Sequence, residues 1–510
     1  MSDAAAKTRM QRILDTVERV GNRVPHPVMI FVYLIAIVIV LSAVFGAMGV
    51  HVNYQAYNPA TGDIEPASTH ARSLLTAEGI RFMFTGVVQN FMNFNAVGVI
   101  IVAMVGVGVA EEAGLVKALI RKLVVVAPRK ALTYILVFVG IVSSIAADAG
   151  YLVLIPLAAA AFVSVGRHPL AGLAAAFAAV ASAFLVNVLI VPVDGILTEI
   201  TNDAIRLMNS SRSIDLAANI WFSIVSVIML TFLITFITER IIEPRLGQYE
   251  GDYAVPGETG LSDDEHRGLS FAFWGMIASF AFIALLVLPP GAPLRHPETG
   301  AIIGNSPFMT SLIVSIALIF LACGAAYGIG SGSMKGVNDV IAAMQKAIVG
   351  LAGLILLLLV ISQFIAFFNY TNMATLAAVS LGSVLGRMNL DALWLLIGFV
   401  FVVFLLDLII TAAIAKWAIF APIFVPLLMQ LGVEPEAVLA AYRVGDSPMN
   451  AITPLNAYFA MIVTFAIKYQ KDAGVGTVIA LMLPYVIWIS LIWTALLAAW
   501  QVMGLPWGLH

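Results

Sequence analysis

Five ionisable residues stand where the surrounding sequence is almost wholly apolar: Asp148, Asp194, Asp407, Arg443 and Asp446. An acid at the centre of a bilayer costs about 2.5–3.5 kcal/mol on insertion scales, so each asks for a reason. Arg443 and Asp446 are three apart and share one helix face. The polar run continues through Ser447, Asn450, Thr453, Pro454 and Asn456. A guanidinium is a planar fork of donors that fits a carboxylate. Arg443 therefore reads as a contact for an anionic substrate with Asp446 as its resting partner; a structural ion pair is the other reading. Asp194 follows Asn187 and Pro192 in an apolar helix. Pro192 removes a donor and frees a carbonyl, while Asn187 both donates and accepts. An acid beside such a break suits proton carriage; the alternative is an external helix-end charge before Gly195 and Glu199. Asp148 lies among Ser143, Ser144 and Gly150, where inward carbonyls and hydroxyls can hold a cation. An N-cap role for Asp148 is compatible with that. Trp417 can stack on an aromatic ligand, pack against an opposing element, or anchor at the interface with Lys416. Glu111 and Glu112, beside basic residues, read as interfacial.

Nothing in the chain supports enzymatic chemistry. It has no HExxH, no GxSxG and no clustered histidine, and the GIGSGS run from Gly328 lacks the Lys-Ser/Thr and strand context of a phosphate loop. The one cysteine, Cys323, sits in an apolar run, so a disulfide frame or cysteine metal site is not expected. Hydrophobic residues make up 61% of the 510 and charged residues 11%. That balance belongs to a polytopic membrane protein, with the lipid bilayer as its surroundings. The net charge of -3 carries no sign of a nucleic-acid partner. The first residues are polar and amphipathic and precede an apolar run long enough to span, unlike a cleavable signal.

Two stretches look like one motif used twice. Pro128–Asp194 and Asn389–Asn456 each have an apolar arm, a small polar break, and a returning arm ending in Ile-Pro-Leu or Val-Pro-Leu. A Pro-bearing turn follows, then a helix interrupted at Asn187…Pro192 or Asn450…Pro454. Repeated halves with broken hydrophobic helices point to a transporter's substrate site. Apolar segments elsewhere are Pro27–Val50, Asn95–Ala113, Trp221–Ile241, Ser270–Leu288, Ser311–Gly328, Ala347–Phe368 and Val475–Trp500. The His51–Arg81 linker, with NPATGD, reads as a turn-rich outer loop. Trp493, Trp500 and Trp507 read as interfacial belt residues.

Charge sets the orientation. Lys7, Arg9, Arg12, Arg19 and Arg23 precede the first span, which predicts a cytoplasmic amino terminus. Lys117, Arg121, Lys122, Arg129 and Lys130 mark an inner linker. The first repeat starts after Lys130 and its arms end at Arg167-His168, so both ends read as cytoplasmic. This predicts a re-entrant hairpin tipped near Ser143–Gly150. The second hairpin has Arg387 before it and two acids in its turn, Gly432–Glu436. It is expected to open outward, tipped near Thr411–Trp417. Two ordinary helical hairpins with small residues at packing contacts are the alternative.

The chain resembles the AbgT family of transporters, within the wider ion-transporter superfamily. The likeness runs over nearly the whole length. It is carried by GVGVAEEAGL (Gly106–Leu115), SSIAADAGYLVLIPL (Ser143–Leu157), GRHPLAGLAAAF (Gly166–Phe177), AYGIGSGSMK (Ala326–Lys335), QFIAFFNYTN (Gln363–Asn372), AKWAIFAPIFVP (Ala415–Pro426) and AAYRVGDSPMNAITP (Ala440–Pro454). The resemblance implies an all-α homodimer in the inner membrane, each subunit with about nine spans and two opposed re-entrant hairpins in inverted repeats. An elevator-like transport core would comprise 128–215 and 389–470. The scaffold would comprise 1–127 and 216–388, with a closing helix in 471–510. It further implies uptake of p-aminobenzoyl-glutamate or export of sulfonamide antimetabolites, driven by protons and without a cofactor. The family's functional positions fall on Asp194, Trp417, Pro435, Arg443, Asp446 and Pro454. The chain departs from relatives at Asp407, usually Asn, at Ile414, usually Ser, and at Leu185-Val186 before Asn187. Asp407 adds a candidate proton or cation site. A sodium-coupled dicarboxylate carrier, with Ser143, Ser144 and Asp148 contacting the cation, is the alternative expectation; a channel is a third.

Overall fold

The computed structural model describes residues 25–57, 64–125, 127–145, 150–208, 212–249, 261–303, 306–377, 379–380, 391–408 and 410–509. Asp148, Arg387 and the basic residues before the first span lie outside the described residues.

In chain order the principal elements are α1 (Pro27–Ala47), β1 (His51–Tyr57), β2 (Ile64–His70), α2 (Asn95–Glu112), α3 (Leu132–Val142), α4 (Ile155–Ser164), α5 (Pro169–Ala181) and α6 (Pro192–Arg206). They continue as α7 (Ile220–Ile237), α8 (Asp263–Val287), α9 (Leu312–Ser331), α10 (Val337–Gly350) and α11 (Ala352–Tyr370). The last are α12 (Ala392–Asp407), α13 (Ala413–Gln430), α14 (Pro435–Asp446), α15 (Phe459–Ile467) and α16 (Val475–Met503).

Among the described residues, 8 helices are long and apolar enough to cross a membrane. Seven stand where hydropathy places spans: α1, α2, α7, α8, α9, α11 and α16. The eighth is α13, the returning arm of the second repeat. Helix α7 runs on through a wide turn to Leu246, farther than the apolar run suggests. The outer linker differs from expectation. It folds as an antiparallel ribbon pairing His51 with His70 and Tyr57 with Ile64. Alternation of polar and apolar residues in HVNYQAY, ahead of the turn-prone sequence NPATGD, is a hairpin pattern that turn composition alone does not reveal.

The first repeat is compact. Its helices Leu132–Ile145, Gly150–Ser164 and Pro169–Ala181, like Ala392–Asp407 in the second repeat, are apolar and only 10–17 residues long. At 1.5 Å per residue the longest of them, the 16-residue Ala392–Asp407, covers roughly 24 Å. A hydrocarbon core is about 30 Å thick. Both α3 and α4 pack on α5. Every residue of α5 and every residue of α14 is buried. These two alanine-rich half-helices form the centre of the molecule.

Small residues join the outer helices. A Cβ on Gly106 would stand 2.0 Å from the Ala317 carbonyl oxygen, and one on Gly108 would stand 2.2 Å from Ala347 Cβ. Glycine there lets α2 approach α9 and α10 closely. At the open end of the first hairpin, Arg167 donates to both carboxylate oxygens of Glu243, at 2.8 and 2.6 Å, and to Thr133 Oγ1 at 2.8 Å. Thr133 in turn donates to Glu239 Oε1 at 2.8 Å. Burial alone would lower the Arg167 pKa, but Glu243 and Glu239 together hold it above its ordinary value.

The C-terminal tryptophans are not belt residues. Trp493, Trp500 and Trp507 are all buried. Trp493 Nε1 donates to Ser226 Oγ at 2.9 Å, and Trp500 and Trp507 both pack on Phe222. They close α16 and the chain end onto α7, where the Trp493 donor finds a partner away from water.

Candidate functional site

The two helix breaks meet. The first runs from Ser182 to Val191, between α5 and α6; the second runs from Ser447 to Tyr458, between α14 and α15. The Leu185 amide donates to Ser447 Oγ at 3.3 Å, and Ser182 Oγ donates to the Pro448 carbonyl at 3.4 Å. Each break also holds a hairpin tip. Asn187 Nδ2 donates to the Val142 carbonyl and to Ser144 Oγ, both at 3.0 Å. Thr453 Oγ1 donates to the Leu408 carbonyl at 3.3 Å. Irregular backbone buried in protein, with its groups paired across elements, is the form a membrane tolerates.

One ion pair ties the repeats together. Arg443 Nη1 donates to Asp194 Oδ1 at 2.5 Å and to the Leu185 carbonyl at 2.8 Å. Arg443 Nε donates to Asn219 Oδ1 at 3.2 Å, and Asn219 Nδ2 donates to the Glu436 carbonyl at 2.9 Å. Asp194 Oδ2 accepts the Val191 amide at 2.8 Å, so the same carboxylate caps α6. The resting partner of Arg443 is therefore Asp194, not Asp446. The three-residue spacing put Arg443 and Asp446 on nearby sides of α14, but the chain brings a different acid to each. Asn219, just before α7, was not singled out in the sequence. A lone amide at the start of an apolar run carries no periodic signal.

A second charged group surrounds the second hairpin tip. Lys416 forms ion pairs with Asp407 and, at 2.7 Å, with Asp446 Oδ1. All three side chains are fully buried. Lys416 is thus a core residue rather than an interfacial anchor. The Tyr442 hydroxyl lies 2.5 Å from the Ala413 carbonyl oxygen and 2.7 Å from Asp446 Oδ1, with one proton for the two acceptors. Asp407 Oδ2 and Asp446 Oδ2 are buried and find no hydrogen-bond partner among the described residues. Two carboxylates share one ammonium here, whereas Asp194 and Arg443 balance one to one.

Trp417 is also fully buried. Its ring stacks on Tyr442 at 4.5 Å, and Nε1 donates to Thr201 Oγ1 at 3.0 Å and to the Leu197 carbonyl at 3.2 Å. Of its three sequence readings, packing against an opposing element is the one observed. Asn450 Nδ2 donates to the Asp446 carbonyl at 3.0 Å. Pro454 lies in the second break, while Pro435 starts α14 two turns below Arg443 and is not brought to either charged group. Ser143 and Ser144 donate back to the carbonyls of Gly140 and Ile141, at 2.7 and 3.0 Å.

Two cavities flank the breaks. One of about 710 Å³ lies between the outer helices α2, α10 and α11 and the repeats, reaching Ser144, Pro192 and Ile414. A smaller one of about 240 Å³ is lined by Tyr151, Phe184, Thr411, Asn450, Asn456 and Tyr458. Phe184, in the first break, lines both.

Known proteins resemble this chain over nearly its whole length. The chain is 34% identical to the p-aminobenzoyl-glutamate transport protein of Escherichia coli (strain K12), covering 100% of this chain and 98% of that one. Its fold matches the YdaH transporter of Alcanivorax borkumensis with a TM-score of 0.88 and 42% identity, over 95% of this chain and 100% of that one. It matches Neisseria gonorrhoeae MtrF, described within a class of antimetabolite efflux pumps, with a TM-score of 0.90 and 40% identity, over 96% and 97% of the two chains. The model of the AbgT putative transporter family matches residues 12–510, so this chain is a multi-pass membrane protein belonging to that family.

Proposed function

We infer that the protein is a proton-coupled secondary transporter of aromatic organic acids of the p-aminobenzoyl-glutamate or sulfonamide type. One observation carries the coupling: two fully buried carboxylates, Asp407 and Asp446, share the single ammonium of Lys416 at a hairpin tip. A bound proton neutralises the excess charge. With Tyr442 donating to the Ala413 carbonyl, a proton on Asp446 supplies the O–H for the Asp446–Tyr442 contact. Protonation thereby changes how firmly α13 is held to α14, and so the relative stability of the states of the carrier. Asp194, held by Arg443 and by its own helix cap, acts as a fixed tie between the repeats.

The remaining expectations form one reading with this. Three of the four arms are too short to span at full thickness, which supports two re-entrant hairpins, and the inverted charge pattern opposes them. The repeats move as an elevator-like core against α2, α8, α9, α10 and α11. The many exposed apolar residues of α8, among them Phe273, Trp274 and Leu285, face lipid or a second subunit of a homodimer. The protein lies in the inner membrane with its amino terminus cytoplasmic, and the larger cavity opens at that side, toward Lys117.

The test is flux of labelled p-aminobenzoyl-glutamate and sulfamethazine in proteoliposomes under imposed proton or sodium gradients. Wild type should show saturable flux that follows the proton gradient. Asp446→Asn should retain exchange down a substrate gradient but lose proton-driven accumulation. Flux that follows sodium alone, or an Asp446→Asn protein that accumulates like wild type, would refute the assignment.

A further inference from the structure

The larger cavity has two chemically distinct ends. Its deep wall is apolar, built by Ile100, Met104, Phe184, Pro192, Ile196 and Ile414. Its mouth carries Glu111, Glu112, Lys117 and Lys346. Lys346 Nζ contacts Glu112 Oε1 at 2.6 Å, with the two side chains 69% and 42% exposed. An ion pair that exposed is easily exchanged, because Glu112 released from it is rehydrated by water. Lys117, on the helix Leu115–Val125, forms no ion pair with a described residue. Two ammonium groups therefore stand at one lip of a cleft of about 710 Å³, a size that encloses a small organic molecule.

We propose that Lys346 and Lys117 are specificity-determining residues that receive the carboxylates of an amphiphilic dicarboxylic acid whose aromatic end enters the apolar wall. The proposal rests on the organic-acid reading above and names the end of the ligand that the mouth reads. Arg443 is spent on Asp194, Leu185 and Asn219, so in this conformation the guanidinium is not the carboxylate contact. The mouth lysines take that place. Substrate enters tail-out, its ring toward Phe184 and its charged end held at the surface. Ligands lacking carboxylates use the wall alone.

The experiment compares two probes in counterflow, which needs no ion gradient: p-aminobenzoyl-glutamate, with two carboxylates, and sulfamethazine, with none. Lys346→Gln/Lys117→Gln should raise KM for the first about tenfold or more, the worth of one charge-assisted hydrogen bond, and leave KM for the second unchanged. Lys346→Arg should keep most of the wild-type KM. An unchanged KM for the dicarboxylate, or an equal rise for both probes, would overturn the proposal. Wild type that moves neither probe would overturn the organic-acid reading itself and this one with it.

Discussion

Replacing Lys416 by methionine separates the buried charges at nearly constant volume. At 2.7 Å from Asp446, the ammonium is attracted by about 6 kcal/mol at an effective dielectric constant of about 20. Much of that offsets desolvation. Removing one partner of a buried pair therefore costs about 3–5 kcal/mol, mostly for the charge left behind. Here one ammonium serves two carboxylates, so Lys416→Met should fall at the upper end. Asp407→Asn alone removes the excess charge and should cost under about 1 kcal/mol. In the Lys416→Met background the same change should be stabilising, giving an interaction energy of about 2 kcal/mol. Unfolding in mixed micelles of rising SDS fraction measures all four proteins. Additive effects, or a Lys416→Met protein within about 1 kcal/mol of wild type, would refute the shared-ammonium account.

Trp417→Phe keeps the stack on Tyr442 but loses the donor to Thr201 and Leu197, so it should destabilise by about 1–3 kcal/mol in the same assay. At the open end of the first hairpin, burial pushes His168 below its ordinary pKa of 6.5 against the pull of Glu243, and its Nδ1 accepts the Leu170 amide at 3.2 Å. The neutral ring is thus the folded form. Its contribution is complete above about pH 6.5 and is lost as pH falls through the folded-state value. Unfolding midpoints between about pH 8 and pH 5 should fall more steeply for wild type than for His168→Asn, which retains a cap without titrating.

The sequence alone determined a great deal. Hydropathy located seven of the eight long helices, because a span is a local property of about 20 residues. The repeated break pattern located both helix interruptions, since Asn187, Pro192, Asn450 and Pro454 act on their own backbone neighbourhood. The family motifs were legible for the same local reason. The outer ribbon was missed because its signal is a weak alternation in polar residues. Pairing lay beyond reach altogether. Arg443 and Asp446 are neighbours on one helix, yet Arg443 takes Asp194 from the other repeat while Asp446 takes Lys416 from the hairpin tip. Composition suggested an interface for Lys416 and the C-terminal tryptophans and left Trp417 between an anchor and a packed ring. The structure buries them: Lys416, Trp417 and Trp493 meet acids or hydrogen-bond acceptors that only the returning chain supplies, while Trp500 and Trp507 pack on Phe222. Local sequence fixes which segments are helical and where they break. Only the packing of one repeat on the other decides which charge meets which, and hence which acids are left one cation short.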